Sequence, residues 1–135
     1  MSRLTGKVAW VTGGGRGIGR AIALAFARDG ANVAVSSRSI GELQDVVRES
    51  EASVVKGLAV KADAMSLEDT LACVSSIKSE FGQLDILVNN AGGFVPPRTG
   101  DDLSAEKIDE YGFADNVDLN LFSAYRASQA VLAGM

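Results

Sequence analysis

The sequence predicts a doubly wound α/β fold, a parallel sheet with helices on both faces. Three observations carry that expectation. Short valine-rich runs, apolar on both faces, alternate with longer stretches of helical periodicity. Strict alternation of strand and helix implies right-handed crossovers and therefore parallel strands. A glycine-rich turn, TGGGRGIG at 12–19, joins the first strand to the first helix.

In chain order, KVAWVT (7–12) is the first strand and GIGRAIALAFARDG (17–30) the first helix. NVAVSS (32–37) and SIGELQDVVRESEA (39–52) form the second pair, KGLAVKA (56–62) and SLEDTLACVSSIKSEFG (66–82) the third. Gly30 and Gly82 stand just past their helices, where a left-handed terminating residue is wanted. Ser66 followed by Asp69 resembles a capping box with Asp in place of Glu or Gln. LDILVNN (84–90) is the fourth strand, and NLFSAYRASQAVLAGM (120–135) the last turns of a long helix. LDILVNN is apolar on both sides, which suits an interior strand. The sheet therefore reads as unfinished, a single incomplete domain over 1–135, truncated after its fourth strand and the helix that follows.

Composition narrows the function. The 135 residues are 47% hydrophobic and 22% charged, an ordinary globular balance. The net charge of -4 comes without a basic stripe, which argues against nucleic acid as partner. Cys73 is the only cysteine and there is no histidine, so a Ser-His-Asp triad and a cysteine- or histidine-built metal site are excluded within these residues. No segment approaches the roughly 18 apolar residues of a membrane helix. A cytoplasmic setting is the expectation, with no metal and no membrane partner.

TGGGRGIG follows a strand and opens a helix, as a pyrophosphate cradle requires. Its glycines permit a tight turn, close backbone approach to the phosphates and close helix–strand packing, with the phosphate over the helix N-terminus. That is the logic of a Rossmann-type nucleotide site, although the spacing Gly13, Gly17, Gly19 departs from G-x-G-x-x-G. Together with Asp63 after the third strand, NNAG at 89–92 and VDLNL at 117–121, the motif resembles the short-chain dehydrogenase/reductase family. The resemblance spans essentially the whole chain and is nearest to carbonyl reductases of the 3-oxoacyl-carrier-protein reductase type.

The resemblance implies a role for particular residues. Thr12, Gly13, Gly15, Arg16, Gly17, Ile18 and Gly19 match the coenzyme loop. Asp63 and Ala64 match the pair at the adenine, where the family more often has a larger apolar residue at 64. Asn89, Asn90, Ala91 and Gly92 match the motif that steadies the sheet and lines the nucleotide site. Asn120 matches the helix asparagine of the catalytic tetrad, which orders a water in the proton relay.

The cofactor follows from charge. An NAD site places a carboxylate at the end of the second strand, for the ribose hydroxyls. Here that position is Ser37, followed by Arg38, and Arg16 points at the same region from the glycine loop. Guanidiniums without a carboxylate favour a 2′-phosphate, so NADP(H) is expected over NAD(H).

Hydride transfer also needs a group to move a proton on the substrate oxygen. In the family a tyrosine does so with a lysine four residues on, beside a serine from the preceding strand. Tyr111 is followed at that spacing by Asp115 and Tyr125 by Gln129, so neither fits. The last lysine, Lys107, lies upstream of Tyr111 and Tyr125. The family's serine, tyrosine and lysine are expected beyond Met135, and Tyr125 is expected to be a packing residue. Cys73 and Trp10 read as core, the acidic pair Asp101 and Asp102 as solvated, and Pro96, Pro97 and Arg98 receive no role.

The resulting expectation is an NADP(H)-dependent oxidoreductase that interconverts a carbonyl and a secondary alcohol on a small-molecule substrate. These residues carry its cofactor half, inactive alone, and the full-length form is a homo-oligomer. The alternatives are a non-catalytic dinucleotide-binding or interaction module and an inactive truncated product. An exposed apolar stripe including Leu121, Ala124 and Leu132 is expected on the last helix, with self-association as its consequence.

Overall fold

β1 (Val8–Thr12) is the axis of the sheet, buried along its whole length and paired on both sides. The computed structural model describes residues 2–97 and 109–135. β2 (Asn32–Ser37) lies on one side of β1 and β4 (Ile86–Val88) on the other, with β3 (Gly57–Lys61) beyond β2. All pairings are parallel and the order is β3-β2-β1-β4.

Because side chains alternate along a strand, each strand feeds two cores. Val11 and Val35 point to the layer of α1 (Gly17–Arg28) and α2 (Ile40–Glu51), where Ala23, Leu24, Leu43 and Val46 meet them. Trp10 and Ala34 point to the opposite layer, against Cys73, Val74 and Ile77 of α3 (Leu67–Phe81) and Ala127 and Val131 of the final helix. Gly30 and Gly82, with φ of 94° and 77°, end the turns past α1 and α3 as expected.

Two local expectations need correction. The segment 84–90 supplies only a three-residue strand, half-buried rather than interior, at the edge of the described sheet. Leu84 is core, the Asp85 carboxylate accepts from the Val8 N–H (2.9 Å), and Asn89 and Asn90 have left the ladder. At Ser66 only half of the capping box forms. Its Oγ accepts from the Asp69 N–H (3.1 Å), but the Asp69 carboxylate turns instead to the Asp63 N–H (2.8 Å). Residues from 120 onward are, as expected, the last turns of a longer helical stretch, which begins at Glu110. It runs as α4 (Glu110–Val117), a wide π-turn over Asp118–Phe122, and α5 (Ser123–Leu132).

Tyr125 is not a packing residue within this chain. α5 faces the core through Ser123, Ala127 and Val131, and Tyr125 falls midway between the first two, on the far side of the helix. Of the expected stripe, Leu121 and Leu132 are exposed while Ala124 is half-buried. Arg98, Asp101, Asp102 and Lys107 lie outside the described residues.

Candidate functional site

The connections leave β1 in one direction to β2 and β3, then return past it to β4. At such a switch point the loops at the strands' carboxyl ends diverge and open a crevice. Here the crevice is a cleft of about 490 Å³, lined from the ends of β1, β2, β3 and β4 and from the π-turn.

Its floor is the glycine loop. Gly13 has φ 62°, and a side chain there would press on Ala91 Cα at 3.0 Å. A Cβ on Gly19 would stand 2.3 Å from the Gly13 carbonyl oxygen and 2.4 Å from Asn90 Nδ2, so glycine is what lets α1 seat against the loop. Gly17 has φ 56° but open space before it. The first N–H groups of α1 have no intrahelical acceptor and face this opening.

A hydrogen-bonded latch holds the loop to β4. Thr12 Oγ1 donates to the Val88 carbonyl (3.3 Å) and accepts from the N–H groups of Asn90 (3.1 Å) and Ala91 (3.0 Å). The Asn90 amide donates to the carbonyls of Thr12 (3.1 Å) and Gly13 (3.0 Å). Asn89 points the other way, to Ser128 Oγ (3.0 Å).

Beyond β2 the wall is polar. Ser37, Arg38 and Arg16 all line the cleft, and among the described residues neither guanidinium has an ion pair or hydrogen bond. At the β3 side stand Asp63, whose carboxylate accepts from the Met65 N–H (2.9 Å), and Ala64. Ala91 and Gly92 complete the rim. Of the residues expected around a coenzyme, two do not line the cleft: Gly19, buried directly behind the loop, and Asn89, turned away to Ser128.

Asn120 sits in the π-turn. Its Nδ2 donates to the Gly93 carbonyl (2.7 Å) and its Oδ1 accepts from the Gly93 N–H (2.9 Å). Asn116 grips Val95 in the same two-way manner, at 2.9 Å each. The two asparagines, one helical turn apart, pair like a strand with the chain leaving the cleft. Asn116 carried no sequence signal beyond its i,i+4 relation to Asn120.

Other lining residues were also unforeseen. Trp10 is core as expected, yet one edge of it reaches the cleft, with Nε1 donating to Ser36 Oγ (2.9 Å). Cys73 lies beside them, and burial pushes its thiol up to about 11 despite a hydrogen bond with Ser36, so it is not a nucleophile near neutral pH. Glu42 of α2 also lines the wall.

Residues 7–135 match the family model described as short chain dehydrogenase. The chain is 42% identical over 132 residues to the 3-oxoacyl-[acyl-carrier-protein] reductase FabG of Pseudomonas aeruginosa, covering 98% of this chain and 51% of that protein. It is 47% identical over 96 residues to an uncharacterized oxidoreductase of Mycobacterium tuberculosis, covering 71% of this chain and 36% of that one. Among solved structures, a 7α-hydroxysteroid dehydrogenase complexed with NADH and 7-oxo glycochenodeoxycholic acid superposes with TM-score 0.87 at 36% identity, over 98% of this chain and 49% of that one. An NAD+-bound xylitol dehydrogenase superposes with TM-score 0.85 at 29% identity, over 98% and 49%. The chain thus spans about half the length or less of these relatives. A Rossmann-type parallel sheet, a glycine loop latched to the fourth strand and a family match over residues 7–135 lead to one statement: the chain belongs to the short chain dehydrogenase family of oxidoreductases.

Proposed function

We propose that the cleft binds a nicotinamide dinucleotide, NADP(H) in preference to NAD(H), for an oxidoreductase that interconverts a carbonyl and a secondary alcohol. The observation that carries the reading is the pair of unpaired guanidiniums, Arg16 and Arg38, beside an open glycine loop at a helix N-terminus. The residues present fit such a group. The α1 N-terminus and the space before Gly17 suit a pyrophosphate, and a bidentate arginine suits a 2′-phosphate. The solved relatives named above hold NADH and NAD+, which supports the nicotinamide class. The preference for a 2′-phosphate rests on the two arginines.

When bound, the nicotinamide supplies or accepts the hydride. The chain's own residues bind and orient. Arg16 and Arg38 hold the phosphorylated ribose, Asp63 and Ala64 border the adenine, and the Thr12–Asn90 latch fixes the loop that receives the pyrophosphate. Asn120 acts as a positioning residue, holding the Gly92–Gly93 backbone at the rim. The family's tyrosine and lysine have no counterpart here, since Gln129 rather than a lysine follows Tyr125 and donates to its hydroxyl (3.3 Å). That spacing keeps a second reading in view, a dinucleotide-binding module without chemistry of its own.

Calorimetric titration of the chain with NADP+ and NAD+ tests the proposal. NADP+ is expected to bind more tightly, and Arg38→Ala to weaken it by roughly tenfold, the scale of one charge-assisted contact, while barely affecting NAD+. Equal or tighter binding of NAD+ by the unaltered chain overturns the preference. Turnover of a simple ketone by these 135 residues alone is expected to be undetectable.

A further inference from the structure

Glu42 occupies the part of the cleft where the sequence offered no carboxylate. It is the third residue of α2, and its side chain folds back over the glycine loop instead of running out to solvent. A Cβ placed on Gly15 would lie 3.2 Å from Glu42 Cβ, 3.3 Å from Glu42 Oε2 and 3.2 Å from Ser37 Oγ. The carboxylate and the Ser37 hydroxyl therefore flank one small space above Gly15. The Ser37 Oγ already accepts from the Ser39 N–H (3.2 Å). Among the described residues the Glu42 carboxylate accepts no hydrogen bond and forms no ion pair, so its acceptor oxygens are available to the cleft. Arg16 and Arg38 line the same wall without neutralising it.

The geometry points to Glu42 as a specificity-determining residue, which accepts from unsubstituted ribose hydroxyls and repels a phosphate on the 2′-oxygen. The inference rests on the dinucleotide reading of the cleft and deepens it. The second strand ends in Ser37, without the acidic residue that usually fills this role, and the acceptor comes from the neighbouring helix instead. Opposed charges on one wall, two guanidiniums and a carboxylate, give a site that favours the 2′-phosphate by a limited margin.

The test uses probes of the adenosine end alone, 2′,5′-ADP and 5′-AMP, titrated into the chain. Calorimetry gives the affinities, and fluorescence of Trp10, the single tryptophan, reports occupancy of the cleft floor. Glu42→Gln removes the charge and keeps the shape. It is expected to tighten 2′,5′-ADP by about tenfold, as for removal of a like charge at close range, and to weaken 5′-AMP. Glu51→Gln, at the far end of the same helix, changes net charge equally and is expected to leave both affinities unmoved. If both probes bind but Glu42→Gln alters their ratio no more than Glu51→Gln does, the role of Glu42 is overturned and the dinucleotide site stands. If neither probe binds the unaltered chain, the dinucleotide reading falls and takes the inference with it.

Discussion

Val54 holds φ at 63° although it is β-branched, and it stands 96% exposed in the turn after α2. Left-handed backbone costs an ordinary L-residue about 1–2 kcal/mol, and nothing packs on this side chain in return. Val54→Gly is expected to raise stability by about 0.5–1 kcal/mol, because glycine's entropy in the unfolded chain cancels part of the relief, as read by urea denaturation. The glycine loop offers a sharper contrast between two alanine substitutions. Gly17→Ala meets only the dihedral cost, about 1 kcal/mol, because the space before it is open. Gly19→Ala must push apart the Gly13 carbonyl and the Asn90 amide, and is expected to cost about 2–3 kcal/mol. Denaturation midpoints that place the two substitutions together, or in the reverse order, would refute the packing assigned to the loop.

Among elements, the joint between β1 and the start of β4 carries the clearest pH dependence. The Val8 N–H, donating to the Asp85 carboxylate, is the main cause of a depressed pKa there, with burial opposing it and Gln83 and Lys7 adding to it. A depressed folded-state value means the contribution is present in full above the ordinary aspartate range. It is lost as pH falls below about 4 toward the folded value. Stability measured down that acid limb should decline less steeply in Asp85→Asn than in the parent, and parallel curves would show that the joint plays no part. The elements also show what could be read in advance and why. Helices α1, α2 and α3 and strands β1 to β3 follow from periodicity, because each has a core face to satisfy. β4 was read too long because Asn89 and Asn90 continue an apolar run, while their amides are needed by Ser128 and the Thr12 latch. The π-turn was illegible because it depends on Asn116 and Asn120 reaching the Gly93–Val95 backbone, a tertiary pairing. Glu42 was missed since its carboxylate enters the cleft by folding back from a helix, which strand-end reasoning does not consider.

Across the whole molecule, large exposed apolar side chains are concentrated on the last helices. Tyr111, Phe113, Leu121, Phe122, Tyr125 and Leu132 are all about half exposed or more. Neither the π-turn nor α5 brings a basic or acidic fringe there beyond Arg126, which turns inward to Asp118 and lies over the Phe122 ring. Exposed apolar side chains in this number favour association, and the chain at micromolar concentration is expected to form dimers or larger species by light scattering. A monodisperse monomer would refute this. No helix among the described residues is long and apolar enough to cross a membrane. The latch between Thr12 and Asn90 joins groups 78 residues apart in sequence. Such a contact closes a long loop, whose entropy must be surrendered before the bond returns anything. During synthesis the glycine turn is made early and gains the Gly14 N–H bond to the Ser36 carbonyl of β2, but the latch that ties it down needs the fourth strand. The completed cleft is consequently a late product of folding, and ligand affinity appearing in a refolding reaction would time the arrival of β4 at the side of β1.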